Sequence, residues 1–455
     1  MTVLHANAAL LDDGWHTNVR LTVSDSEIRR VETSVESSPD DEPAGVILPG
    51  IPNGHSHAFQ RAMAGRAERR HENGENFWTW REVMYAVTEH MNPERLLAIA
   101  TLAYMEMLEA GYTSVAEFHY LHNLRGNKSC VPAHLLAEIH SQAATAAGIR
   151  LTLIPTLYMV GGFDGAPLNP AQEQFEHSTD SFLKLVEAIS SQRSGYTTGL
   201  GIHSLRAVPA AALRAVSDYA RSEMPDSPIH IHIAEQQREV DECILHTGQR
   251  PVEWLLDHHD IDKQWCMIHA THSTPNELQR IAESGATIIL CPSTEANLGD
   301  GVFGFSNFVP SGGRIGIGSD SQITINPWHE LQLLEYSQRL TQRQRNIAAS
   351  PESPSTGRAL LHAVLKGGCA ATGRAPAGLS EGNPADLIVL NMDDSRLAGL
   401  ANDALLDALI FANPRNPVDS VMVAGEWKIR AGEHPKSEQF VASFRKTSRI
   451  IEQSA

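Results

Sequence analysis

Up to about residue 45 apolar and polar side chains alternate, as in Val19-Arg20-Leu21-Thr22-Val23, and the pattern then dissolves into Ser37-Ser38-Pro39-Asp40-Asp41-Glu42-Pro43. A period of two followed by turn-forming residues predicts a few short antiparallel strands and a loop. A similar texture returns in Ala385-Asp386-Leu387-Ile388-Val389-Leu390 and Ser420-Val421-Met422-Val423-Ala424-Gly425-Glu426, so the two ends of the chain are expected to meet in one small β domain. Between them apolar strand candidates alternate with helical patterns. The candidates are the run Val46-Ile47-Leu48 and stretches 113–118, 151–155, 198–202, 229–234, 265–269, 286–290 and 315–318; helical periodicity occupies 94–109, 209–222, 275–283 and 327–340. Eight strands of this kind, separated by helices, close most naturally into a (β/α)8 TIM barrel. The expected architecture is therefore α/β: a barrel over 47–375 and a small β-sandwich domain assembled from 1–46 and 376–455, the last part ending in a helix. No internal repeat of fixed period is present.

Composition narrows the class. At 455 residues, 42% hydrophobic and 20% charged, the chain reads as a globular enzyme large enough for a barrel with additions. A net charge of -18 argues against nucleic acid or an anionic membrane as partner, since both select a basic surface. No apolar run approaches membrane-spanning length, and Met1-Thr2-Val3-Leu4-His5 lacks the pattern of a signal peptide, so the cytoplasm is the expected location. The five cysteines, Cys130, Cys243, Cys266, Cys291 and Cys369, are odd in number and widely spaced, which predicts reduced and mostly buried thiols.

The chemistry is concentrated at the ends of the predicted strands. His55 and His57 lie two apart after an apolar run, so on an extended chain both imidazoles share a side and can face one ion. His230-Ile231-His232-Ile233-Ala234-Glu235, His269 and Asp320 follow at the ends of later strands, where barrels of this kind carry their active sites. His55, His57, His232 and Asp320 make a ligand set of three imidazoles and one carboxylate, which leaves room for water on a divalent ion, with Zn2+ expected and iron or another metal chemically admissible. His232 is preferred to His230 as the ligand because Glu235 follows it at the strand end. Water on such an ion loses a proton near neutrality; Glu235 is the candidate shuttle for it, and His269 the candidate for polarising the attacking oxygen. Asp320 doubles as ligand and catalytic carboxylate. Glu117 is the one acid on a neighbouring strand that could bridge to a second metal, but the strand at 151–155 offers no lysine, and one metal is expected.

In its order of His-x-His, His, His-x-x-Glu, His and Asp the chain resembles the amidohydrolase superfamily, in the deaminase branch that carries a glutamate shuttle. The segments Pro52-Asn53-Gly54-His55-Ser56-His57-Ala58-Phe59-Gln60-Arg61, Phe77-Trp78-Thr79-Trp80-Arg81-Glu82, His203-Ser204-Leu205-Arg206 and Cys291-Pro292-Ser293-Thr294-Glu295-Ala296-Asn297-Leu298-Gly299-Asp300-Gly301 are similar to those of the N-formimino-L-glutamate deiminases. The resemblance implies an enzyme that hydrolyses the formimino carbon of a dicarboxylate substrate in histidine degradation, giving N-formyl-L-glutamate and ammonia; a homodimer is expected only because symmetric dimers are the commonest assembly of such enzymes. The resemblance also implies that Arg81 and Arg206 clamp the two carboxylates and that Gln60, Tyr120 and His203 supply neutral contacts. Without it, Arg81 reads as a surface arginine and Tyr120, Trp78 and Trp80 as packing. Gly54, Gln322 and Tyr158-Met159-Val160 depart from the family's pattern. The alternatives are another mononuclear-metal deaminase acting on a purine, pterin or triazine ring, and a non-catalytic scaffold of the same fold.

Overall fold

A computed structural model describes residues 1–69, 77–124, 133–191 and 195–454. The alternating N-terminal pattern folds as β1 (Thr2–Leu11) and β2 (Gly14–Ser24), an antiparallel pair in register Leu4↔Leu21, followed by β3 (Glu27–Glu32) and β4 (Glu42–Pro49). Leu4, Ala6, Val19, Leu21 and Ile28 from these strands pack into one buried cluster, as period two requires of a sheet with one covered face.

The run Val46-Ile47-Leu48, expected as the first barrel strand, instead lies in β4 of the terminal sheet, paired with β1 and with the later strand at 387–390. The chain passes through Gly50 into β5 (Ile51–Ser56), which is the first barrel strand. β6 (Tyr112–His119) and β7 (Arg150–Leu157) follow; the candidate at 198–202 splits at Gly199 into β8 (Thr197–Thr198), paired with β7, and β9 (Leu200–Ile202), paired with β7 and β10. β10 (Ile229–Ile233), β11 (Trp265–His269), β12 (Thr287–Leu290) and β13 (Arg314–Ile317) continue the parallel order β13-β12-β11-β10-β9-β7-β6-β5. The ring closes where Asp320 bridges Ser56, with His57 N donating to Asp320 O at 3.0 Å and Asp320 N to His55 O at 3.1 Å. A Cβ at Gly318 would lie 2.7 Å from His55 O, so only glycine lets the last strand approach the first this closely. Helices at Pro93–Ala110, Ala210–Glu223, Pro275–Ser284 and Pro327–Gln342 lie where periodicity placed them.

β14 (Leu387–Leu390), β15 (Val418–Val423) and β16 (Glu426–Ile429) return to the terminal sheet, whose order is β16-β15-β14-β4-β1-β2-β3. Both chain ends thus share one sheet, hinged to the barrel through β4. The final helix, Ser437–Ser454, docks Phe440 against Leu102 and Met105 of the helix Pro93–Ala110. Cys243, Cys266, Cys291 and Cys369 are buried and free; Cys130 lies outside the described residues. No helix among the described residues is long and apolar enough to cross a membrane.

Behind β6 sits a second group of histidines that the site does not use: His119, His122, His140 and His177, all buried, with ring centroids 4.4–4.9 Å apart in sequence of contact. Burial pushes the His140 ring down to about 3 and His177 to about 4, so both are neutral when folded, whereas an unfolded chain titrates them near 6.5. Below about pH 6.5 the unfolded chain therefore takes up protons that the folded one refuses, and stability falls until the pH nears the folded values. The urea midpoint is expected to drop between pH 7.5 and pH 5, and less so in the double variant His140→Phe/His177→Phe. Equal drops in both proteins would remove these rings from the acid response.

Candidate active site and metal centre

Alternation along β10 turns Ile229, Ile231 and Ile233 towards the outer helices and both His230 and His232 inward. The two histidines lie at different depths. His230 Nε2 donates to Ala371 O at 2.9 Å, so it is the core histidine, and His232 stands above it at the C-terminal mouth. There His55 Nε2 lies 3.2 Å from His57 Nε2 and 3.1 Å from His232 Nε2, while Asp320 Oδ1 lies 3.5 Å and 3.3 Å from the first two. All four side chains are buried and offer one ligand atom each to a common point.

Their tautomers show what belongs at that point. His57 Nδ1 meets Phe118 O at 3.0 Å and His232 Nδ1 meets His203 O at 3.0 Å. A carbonyl oxygen only accepts, so in each neutral ring Nδ1 holds the proton and Nε2 presents its lone pair inward. Two bare lone pairs and a carboxylate, all buried and facing one another, call for a cation. Ligands at ~2.0–2.1 Å from a tetrahedral ion stand about 3.3 Å apart, close to the separations observed. The set therefore fits a divalent metal. Cys291 also approaches His269 and Asp320, but burial and four nearby carboxylates push its thiol well up, so it stays protonated.

His269 ends β11 with Nε2 3.6 Å from Asp320 Oδ2 and 3.7 Å from Glu235 Oε1, and its Nδ1 lies 3.2 Å from Glu295 Oε1. Burial opposes its charge, yet Glu235, Glu295 and Asp320 outweigh that and push it up to about 10. Burial, aided by Asp320 and Glu239, pushes the Glu235 carboxyl up to about 7. These side chains are aimed by unusual backbone: Ala234, His269, Ala270, Asp320 and Gln322 have φ between 44° and 69°. Such left-handed residues cost on the order of 1–3 kcal/mol each and persist only when their surroundings enforce them. Glu239 is part of that enforcement, accepting from Ala234 N at 3.0 Å and Glu235 N at 3.2 Å.

The cluster forms the floor of a pocket roofed by Phe77, Trp80, Arg81, Met84 and Tyr85 of the helix Phe77–Thr88. Gln60, Arg81, Tyr120, His203 and Arg206 all line it, so every residue singled out in the sequence for substrate contact reaches the same cavity. Gln60 Nε2 donates to Tyr120 Oη at 2.9 Å, and His203 Nδ1 lies 3.1 Å from Ser204 Oγ. The guanidiniums are held by aromatic faces: Arg81 lies 4.5 Å and Arg206 5.6 Å from the Trp78 ring centroid. Arg81 Nε and Nη1 and Arg206 Nη1 are buried without a hydrogen-bond partner. Two cations, Arg206 buried and Arg81 half-buried, with unspent donors on one wall mark a place for anionic groups.

Several residues escaped the sequence reading. Tyr85 and Tyr158 line the pocket, Glu239 holds the Glu235 turn, and Glu295 orients His269. The last two occupy the first turns of the helices Gln237–Thr247 and Pro292–Leu298, where an acid ordinarily signals a helix start, and that reading hides their inward aim. Glu117 faces away from the cluster, accepting from Ser56 Oγ at 2.6 Å and Ala58 N at 2.8 Å, which leaves it no part in bridging metals. Gln322 Nε2 donates to Ser56 Oγ and to Asp320 O, so it braces the ligand loop. A Cβ at Gly54 would press on Ile289 and Ile317 O at 3.1 Å; Met159 packs against the core, outside the pocket lining.

The sequence profile of the amidohydrolase family matches residues 46–428, and that of the formimidoylglutamate deiminase HutF N-terminal domain matches residues 1–45. A formimidoylglutamate deiminase from Pseudomonas aeruginosa is 44% identical over 448 residues, 98% of each chain. The chain belongs to the formimidoylglutamate deiminases of the amidohydrolase family. The crystal structure of an amidohydrolase from Brucella melitensis superposes with a TM-score of 0.95 at 43% identity, covering 99% of this chain and 100% of that one. An adenosine deaminase from Xanthomonas campestris with bound zinc, at 19% identity and a TM-score of 0.81 over 99% and 98% of the two chains, shares the fold. Within the family an 8-oxoguanine deaminase from Pseudomonas aeruginosa is 27% identical over 85% of this chain and 83% of its own length.

Proposed function

We propose that this pocket hydrolyses N-formimino-L-glutamate to N-formyl-L-glutamate and ammonia, as part of histidine degradation. The observation that carries the reading is the pairing, in one cavity, of four convergent ligand atoms with two guanidiniums that keep buried donors unspent. The substrate has the matching parts: an amidine carbon for the hydrolytic end and two carboxylates for the cationic wall. The formimidoylglutamate deiminase from Pseudomonas aeruginosa supports the same assignment.

His55, His57, His232 and Asp320 would hold the metal, and zinc is the ion proposed, as in the adenosine deaminase that shares the fold. A divalent ion so held makes water acidic enough to serve as a nucleophile near neutral pH. Glu235, poised near neutrality by burial, accepts a proton from the attacking water and returns it to the departing nitrogen, so that one C–N bond breaks as one C–O bond forms and ammonia leaves. His269, fixed by Glu295, donates towards the oxygen that attacks. Arg81 and Arg206 pair with the carboxylates, preferably through two hydrogen bonds each, and hold the amidine over the cluster. A ring deaminase would present an apolar slot here, which the two arginines deny, and a silent scaffold has no use for an intact ligand set beside an aligned glutamate.

Asp320→Asn is expected to lower metal retention under dialysis and to cut turnover, since the amide keeps the shape and loses the charge. Full metal content with full turnover would remove Asp320 from the site. The assignment itself is tested by following ammonia release from N-formimino-L-glutamate, N-formimino-L-aspartate, adenosine and guanine side by side. Release from the formimino dicarboxylates, with the glutamate compound preferred, is expected. Release from a ring substrate alone would overturn it.

A further inference from the structure

The chain carries 54 acidic against 36 basic side chains, and arginines outside the catalytic pocket are commonly spent on carboxylates, as in Arg20–Asp41 at 2.9 Å, Arg61–Glu106 at 2.6 Å and Arg150–Asp386 at 2.6 Å. One groove departs from that rule. It has a volume of about 410 Å3 and runs between the helix Thr356–Thr372, the first residue of β13, the end of β1 and the segment 374–378. Its floor is apolar, with Leu10, Leu361 and Leu365; its rim is cationic, with Arg314, Arg358, Lys366 and Arg374. The helix makes this arrangement by spacing: 358 and 366 stand two turns apart on one stripe, and 361 and 365 on the stripe beside it.

The charges on the rim are largely unanswered. Among the described residues Arg314 and Lys366 have no side-chain hydrogen bond or ion pair. Arg358 comes only within 3.7 Å of Asp403, and Arg374 donates through Nη2 to Leu151 O at 2.5 Å while its Nε is buried without a partner. Asp12 is the one carboxylate in the lining, and it accepts from Ser380 Oγ. Four cations around an apolar floor repel one another and select a counter-charge that brings its own apolar surface. The groove is also remote from the chemistry: Arg314 opens β13, whose far end leads to Asp320. We infer that it binds a small amphipathic organic anion, an apolar body bearing a carboxylate or phosphate, independently of the catalytic pocket.

The test uses the intact metal-loaded protein titrated with 8-anilinonaphthalene-1-sulfonate, read by fluorescence. One saturable site is expected, weakened at least tenfold by Lys366→Glu, an exposed change on a helix surface, and further by Arg314→Gln, with ammonia release unchanged in both variants. Displacement by octanoate identifies a carboxylate ligand and displacement by phenyl phosphate a phosphate one; either outcome supports the site. It is overturned by absence of saturable binding, as when a second copy of the chain covers the groove, or by unchanged affinity in both variants. Failure of both competitors, equal displacement by inorganic phosphate, or displacement by N-formimino-L-glutamate would overturn it as well.

Discussion

Glu235→Gln is expected to lower turnover about 10²–10⁴-fold, the range over which a positioned acid–base group contributes, while metal content stays at the level of the unaltered protein. The glutamine keeps the volume and can still hydrogen-bond, but it cannot take a proton from water and pass it on. Its position explains why the metal should stay. The Glu235 carboxylate lies 3.7 Å from His269 Nε2 and is absent from the four-ligand group, and the turn that carries it is held by Glu239 through backbone N–H groups that the substitution leaves in place. Metal analysis beside single-turnover ammonia release separates the roles. Loss of metal would make Glu235 a ligand; retained turnover would give the shuttle to another group.

Arg206→Met is expected to raise KM on the order of 10²-fold, with metal retained and a smaller change in kcat. Arg206 is buried, its Nη1 has no partner, and it faces the same cavity as the cluster without touching it. Removing one member of a buried charge pair costs roughly 2–5 kcal/mol, much of it from stranding the other charge, here a substrate carboxylate. Methionine preserves the apolar stem that packs near Trp78, so loss of fold is a poor alternative account. Arg81 is less buried, and Arg81→Met should raise KM by a smaller factor. Equal kinetics for Arg206→Met and the unaltered enzyme, measured with N-formimino-L-glutamate, would leave the carboxylates without their proposed partner.

The barrel was legible because its cues are local. Strand runs such as Trp265–His269, helix starts such as Asn92-Pro93 and Asn326-Pro327, and the period-two His55/His57 pair each carry their meaning within a few residues. The choice of His232 over His230 rested on proximity to the strand end, and the depth of the barrel gives the reason: the lower ring is consumed by Ala371 O. What the sequence concealed depends on contacts far apart in the chain. The tautomers of His57 and His232 are set by carbonyls 61 and 29 residues away, and Glu117, plausible as a bridge by its strand, is turned outward to Ser56. Glu295 and Glu239 carry no local mark of their role, which depends on the backbone bringing them against His269 and the Glu235 turn.

The most direct test of the central claim, that this buried ligand set and cationic wall act together on a formimino dicarboxylate, is ammonia release from N-formimino-L-glutamate before chelation, after it, and after restoring Zn2+. Release is expected to disappear with the metal and to return with it at about one ion per chain. Undiminished release from demonstrably metal-free protein, or no release from the fully loaded one, would contradict it.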